Sequence, residues 1–164
     1  KAAQRQAASE VAEQTGVPFL MPLTDPLRAT RVSISADLSV VIPLLLRTSA
    51  AGAVILIHSD RPDVWRPLCD NHYRISLAGD RDPVRQPTVI VADGEGLALT
   101  AGERGHSLVT VGSVDSDADL TIVQESPDEL VIGTPAVRGV RLSVMRPRNE
   151  AQFLTHLRTG ALRP

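Results

Sequence analysis

The sequence predicts an α/β domain, a βαβαβ half followed by a β-rich half with a C-terminal helix. Three observations carry this. The apolar run Ala53-Val54-Ile55-Leu56-Ile57 has the length of a buried strand. It ends in His58-Ser59-Asp60 and leads directly into Arg61-Pro62-Asp63-Val64-Trp65-Arg66-Pro67-Leu68, an amphipathic stretch with the single tryptophan. Beyond Leu77, short apolar runs alternate with Gly-, Pro- and Asp-rich turns, the pattern of successive strands.

Taken in order, residues 1–15 are set apart as an N-terminal helical segment, with Ala2, Ala3, Ala7, Ala8, Val11 and Ala12 as a weak stripe over Lys1 to Gln14. Residues 16–164 form one domain. Pro18 and Pro22 bracket a short strand at Phe19-Leu20-Met21. Arg31 to Ser35 alternates Val32 and Ile34 with polar neighbours, which predicts a strand. A helix is expected from about Asp37 to Ala51, stopped by Gly52, and then a strand from Ala53 to His58. In the next helix, Asp60 and Asp63 have the spacing of a cap and third helical position, and Val64, Trp65, Leu68 and Cys69 share one face. Trp65, Asp60 and Leu68 are therefore the expected structural anchors. Pro67 removes the hydrogen bond to the Asp63 carbonyl, at a cost of about 3 kcal/mol, so a kink or two short turns are expected. Pro43 poses the same problem in the first helix.

A strand around Arg74 to Leu77 closes the first half. Further strands are expected at Thr88 to Ala92, Leu108 to Val111, Leu120 to Val123, Leu130 to Ile132 and Val140 to Met145. Their short connections favour antiparallel pairing, with Gly94-Glu95-Gly96 and Gly102-Glu103-Arg104-Gly105 as hairpin turns. Asn149-Glu150-Ala151-Gln152 opens a final helix that carries Phe153, Leu154 and Leu157 on one face before Gly160.

At 164 residues the chain is long enough to bury roughly 70% of the surface its unfolded form exposes. A hydrophobic content of 43% against 22% charged residues argues against global disorder. The single cysteine, Cys69, cannot form an intramolecular disulfide, which excludes a disulfide-stapled module and favours a reducing compartment. The longest strongly apolar stretch, Val40 to Leu46, falls short of the ~20 residues that a spanning helix needs. With no initial methionine, the chain is expected to be part of something longer.

The net charge of -2 hides an asymmetry. Residues 93 to 129 hold nine acids against Arg104 alone, and residues 138 to 164 hold six arginines against Glu150. Such a division can orient a domain toward an acidic partner or an anionic membrane face. Arg138, Arg141, Arg146 and Arg148 are the candidate interaction surface.

No catalytic, metal or cofactor site is expected. Asp115-Ser116-Asp117-Ala118-Asp119 imitates the start of a calcium loop, but Leu120 stands where that loop needs glycine and Ser126 where it needs the bidentate glutamate. It reads as an acidic turn. His58, Asp60, Asp63, Cys69 and His72 match no zinc or protease spacing, and Cys69 falls on a buried face where thiols are inert. His58 is expected to end its strand and Asp60 to cap the helix. The glycine pairs carry acids that would repel a phosphate. Four aromatic residues offer almost nothing for base stacking, so no nucleic-acid partner is expected.

Three segments carry a family resemblance. They are Val17-Pro18-Phe19-Leu20-Met21-Pro22-Leu23, the stretch from Ala36-Asp37 through Arg47-Thr48-Ser49-Ala50-Ala51-Gly52-Ala53 into the Arg-Pro-Asp-Val-Trp helix, and Asp128-Glu129-Leu130-Val131-Ile132-Gly133-Thr134-Pro135. Their order resembles the C-terminal cytosolic domain of EccE, a membrane-complex component of the ESX type VII secretion systems of actinobacteria. The use of arginine everywhere except Lys1, in an Ala-, Val- and Gly-rich chain, is the bias of high-GC coding seen in such organisms. The resemblance implies a non-catalytic scaffold on the cytoplasmic side of the inner membrane, with EccB, EccC and EccD as partners and membrane association through segments outside this chain. Residues Lys1 to Thr15 depart from the family pattern. The competing reading is an α/β enzyme or small-ligand-binding domain that uses the loop 58–63, the place where such folds hold ligands. The sequence offers that reading no pair of nucleophile and base.

Overall fold

The structure, a computed structural model, describes residues 23, 28–80, 83–94, 106–137 and 139–144. The helices expected at Lys1 to Gln14 and Asn149 to Gly160, and the strand at Phe19 to Met21, lie outside the described residues. So do Arg138, Arg146 and Arg148.

The chain is α/β. Its elements are β1 (Thr30–Ser35), α1 (Leu38–Ala50), β2 (Ile55–Ser59), α2 (Pro62–Asn71), β3 (Ile75–Leu77), β4 (Val89–Asp93), β5 (Ser107–Val111), β6 (Leu120–Ser126), β7 (Glu129–Gly133) and β8 (Val140–Ser143). The eight strands form one sheet in the order β3-β2-β4-β5-β1-β6-β7-β8. All pairs from β3 to β6 are parallel, and β6, β7 and β8 form an antiparallel meander.

This corrects the expectation of antiparallel pairing throughout the second half. It holds for β6 to β8 only. Strands β4 and β5 insert side by side and parallel between β2 and β1, so the two halves interleave. The physical reason lies in burial. Val89, Val91, Ala92 and Asp93 of β4, and Ser107, Leu108, Val109 and Val111 of β5, are buried, as central strands covered on both faces must be. A hairpin linking β4 to β5 is ruled out by their parallel register.

One face of the sheet forms the core. Ile55, Ile57, Val89, Val91, Val32 and Ile34 project from it against Val41 and Leu45 of α1 and Trp65 and Leu68 of α2. The connections β1 to β2 and β2 to β3 carry the helices and step toward one edge. The described connection from β5 to β6 steps the other way, and a right-handed crossover places it on the opposite face. Ser33, which points away from the core face, accordingly donates to the Ser113 carbonyl at 2.6 Å and accepts from the Asp115 N–H at 2.9 Å.

Neither proline splits its helix. Pro43 lies inside an unbroken α1, and Pro67 inside an unbroken α2. The acceptor that Pro67 leaves without a donor is the carbonyl of exposed Asp63, near the helix start, where water can replace the lost bond. Trp65, Leu68 and Cys69 form the buried stripe as expected, but Val64 is 44% exposed and does not belong to it.

Candidate functional site

Strands β2 and β4 are neighbours in register from Ile55↔Val89 to Ser59↔Asp93, so Ser59 and Asp93 end side by side. From this point β2 leads outward to β3 while β4 leads the other way to β5. Open α/β sheets place their ligands at such a reversal, beyond the carboxyl ends of the strands.

Here the position is filled by the chain itself. Asp93 is 2% exposed and accepts four hydrogen bonds. Arg61 grips it with both arms of its guanidinium, Nε on Oδ2 at 2.9 Å and Nη2 on Oδ1 at 2.8 Å. The Trp65 indole Nε1–H donates to Oδ2 at 2.6 Å, and the Ser59 hydroxyl donates to the same oxygen at 2.9 Å. Ser59 Oγ also accepts the Arg61 backbone N–H at 3.0 Å, and the Asp93 carbonyl takes the Asp60 N–H at 3.2 Å. A buried carboxylate survives in a core only when paired and hydrogen-bonded, and its four donor bonds come from the stretch Ser59 to Trp65, the end of β2 and the start of α2.

Burial pushes the Asp93 carboxyl up, but the bonds from Arg61, Trp65 and Ser59 and the charge of Arg61 outweigh it and hold the group below its ordinary value. The bond to Asp93 in turn raises Arg61, against the opposing effect of burial. Both groups therefore stay charged at neutral pH. The result is a closed bidentate ion pair that fastens the start of α2 to the end of β4.

Of the expected anchors, Trp65 and Leu68 are fully buried. Asp60 is a correction. The N-cap is Arg61, with no side-chain cap, because Pro62 takes the first helical position that suits its fixed φ. Asp60 is exposed and its carboxylate stands over Gly94, where an added Cβ would lie 2.7 Å from it. His58 is the next-to-last residue of β2, which runs one residue further to Ser59. By strand alternation it points to the face opposite Ile57, whereas Cys69 is buried in the core on the other side, so the two do not converge. No group of three or more His, Cys, Asp or Glu residues among the described residues is arranged to hold a metal ion.

The acidic turn at Asp115 to Asp119 is tied to β1. Arg31 Nη2 binds Asp115 Oδ2 at 2.8 Å, the Arg31 N–H donates to Asp119 Oδ2 at 2.9 Å, and Arg28 lies 3.7 Å from Asp119. The one candidate arginine among the described residues, Arg141, sits 2.8 Å from Glu129 and 3.0 Å from Glu125. Part of the charge asymmetry in the sequence is thus neutralised within the sheet.

In the sequence Asp93 is only the first of the nine acids between residues 93 and 129. The available signal was an acid ending the apolar run Val89-Ile90-Val91-Ala92, but its meaning depends on β2 lying alongside. Fold and site define an open, largely parallel α/β domain whose principal strand-order reversal is closed by its own ion pair. Comparison with protein-family models, curated proteins and solved structures gives no match to the chain.

Proposed function

We propose that this is a non-catalytic docking domain, serving as a cytosolic scaffold in a type VII protein secretion membrane complex. This is the role implied by the resemblance to EccE, with EccB, EccC and EccD as partners at the inner membrane. One observation supports the non-catalytic part: at the reversal, the best-placed carboxylate spends its acceptor capacity on Arg61, Trp65 and Ser59. A general base must reach a substrate proton and titrate near the working pH. Asp93 is buried, covered by Arg61, and held below the ordinary carboxylate range.

The test is purification of the membrane complex from cells whose copy of the protein lacks this domain. Loss of EccB, EccC or EccD from the assembly is expected, and full recovery together with normal secretion would overturn the scaffold role. The α/β enzyme or ligand-binding reading keeps one favourable observation, the position of the loop 58–63 at the reversal. Specific ligands raise the melting temperature by mass action. A reproducible rise with calcium, zinc, magnesium-ATP or a dinucleotide would turn the assignment toward that reading.

A further inference from the structure

Strand order reverses a second time between β1 and β6. From β1 the chain returns across the sheet to β2, and from β6 it runs outward to β7. The carboxyl ends of these strands border an open groove of about 440 Å³, whose lining includes Ser35, Asp37, Gly112, Gln124, Glu125 and Ser126. Unlike the reversal at Asp93, this one has no buried carboxylate among the described residues to close it.

The two titratable residues of its described lining, Asp37 and Glu125, are both carboxylates. Asp37 holds the N-cap position of α1, yet its side chain makes no cap bond, and its backbone N–H is taken by Gln124 Oε1 at 2.8 Å. The Asp37 carboxylate is exposed and uncommitted to the helix. Glu125 already holds a guanidinium, that of Arg141 at 3.0 Å, which Glu129 shares at 2.8 Å. With Asp37 added, carboxylates outnumber the guanidinium among the described residues at and beside this groove. The remaining described lining is hydroxyl, amide and small side chains, and no basic residue is among the described lining residues. An anion is disfavoured there, and a shallow, open shape suits an extended chain better than an enclosed small molecule.

We infer that this groove docks a basic, extended segment of a partner protein, with an arginine or lysine side chain set against Asp37 and Glu125. The inference rests on the docking role proposed above and names the chemistry of one partner surface. The charge pairing is exposed, so its contribution per charge is small and screened by salt.

The experiment titrates the full chain with a short arginine-bearing peptide and with its counterpart carrying glutamine at each arginine, followed by amide chemical shifts. Shifts at Ser35, Gly112 and Gln124 with the arginine peptide alone are expected. Asp37→Asn with Glu125→Gln should weaken binding roughly fivefold or more, and Asp70→Asn, which removes a charge from α2, should change it far less. Equal binding of the glutamine peptide, or an equal loss from Asp70→Asn, overturns the proposal. Binding that emerges only after Arg146→Ser and Arg148→Ser also overturns it, because the chain's own arginines would then hold the groove. These outcomes are separable from the complex purification: a complex that needs the domain while the groove ignores the peptide moves the docking surface elsewhere and leaves the scaffold role standing.

Discussion

The Trp65 indole N–H donates to Asp93 Oδ2 at 2.6 Å, from the first turns of α2 to the last residue of β4. Both residues are almost completely buried, so the bond is formed away from water, and it joins the largest buried side chain to the one buried carboxylate among the described residues. Trp65 therefore acts twice, by filling the core and by satisfying Asp93. Trp65→Ala should destabilise the fold by about 3–5 kcal/mol through cavity formation. Trp65→Phe keeps most of the volume but removes the donor, and should cost about 1.5–3 kcal/mol, the worth of a hydrogen bond to a charged group. Urea unfolding separates the two terms. Indole emission in the folded protein should lie well to the blue of hydrated tryptophan, and a fully hydrated maximum would contradict the burial.

Asp93 makes stability depend on acid. Its folded carboxyl titrates below the ordinary value of 3.8, so the folded state binds the proton less readily than the unfolded one. Its contribution is complete above the unfolded value and is lost as pH falls through that value toward the lower folded one. Wild type should therefore lose stability more steeply than Asp93→Asn once the pH drops below about 5. At neutral pH the Asn variant should be the less stable, since it gives up the ionic bonds to Arg61 and Trp65. Parallel denaturation curves for the two proteins between neutral and acid pH would refute the assignment of that slope to Asp93.

Gly94 is required by backbone and contact together. Its φ is +141°, a region L side chains rarely adopt, and a Cβ there would lie 2.7 Å from the Asp60 carboxylate. Gly94→Ala should cost about 1–3 kcal/mol. Adding Asp60→Ala removes the contact and leaves the φ, so the double variant should recover only part of the loss. A double-mutant cycle on urea midpoints measures the share. Complete recovery would mean that the backbone carries no strain.

How much of this was legible in the sequence follows from the range of each interaction. Val32 and Ile34 alternate with polar neighbours, Trp65, Leu68 and Cys69 repeat along a helix, and these local periods located β1 to β8 and both described helices closely. Pairing is not local. The connection between Asp93 and Ser107 looked like hairpin material because glycine and acid dominate it, yet the run Val89-Ile90-Val91-Ala92 is unbroken in the way a doubly covered parallel strand requires. The ion pair was hidden for the same reason. Arg61 and Asp93 are 32 residues apart and meet only because β4 lies against β2. Asp60 misled the cap assignment because Pro62, one residue beyond Arg61, sets the first turn.

The last prediction concerns the basic C-terminal end. Arg141 is held by Glu125 and Glu129, but its side chain is 51% exposed, so this pairing contributes no more than about 1 kcal/mol to the fold. Replacing Arg138, Arg141, Arg146 and Arg148 with serine should leave the domain folded, with a melting temperature lowered by only a few degrees at most. If this end faces an acidic partner surface or the anionic membrane face, the same variant should co-purify less well with EccB, EccC and EccD, and the deficit relative to wild type should be largest at low ionic strength and narrow as added salt screens the wild-type attraction. Single replacement of Arg141 separates the roles: it removes the link to Glu125 and Glu129 while keeping the other three arginines, and should reduce recovery by less than the fourfold change. Unaltered recovery of a folded fourfold variant at both salt concentrations would show that these arginines solubilise the domain and orient nothing.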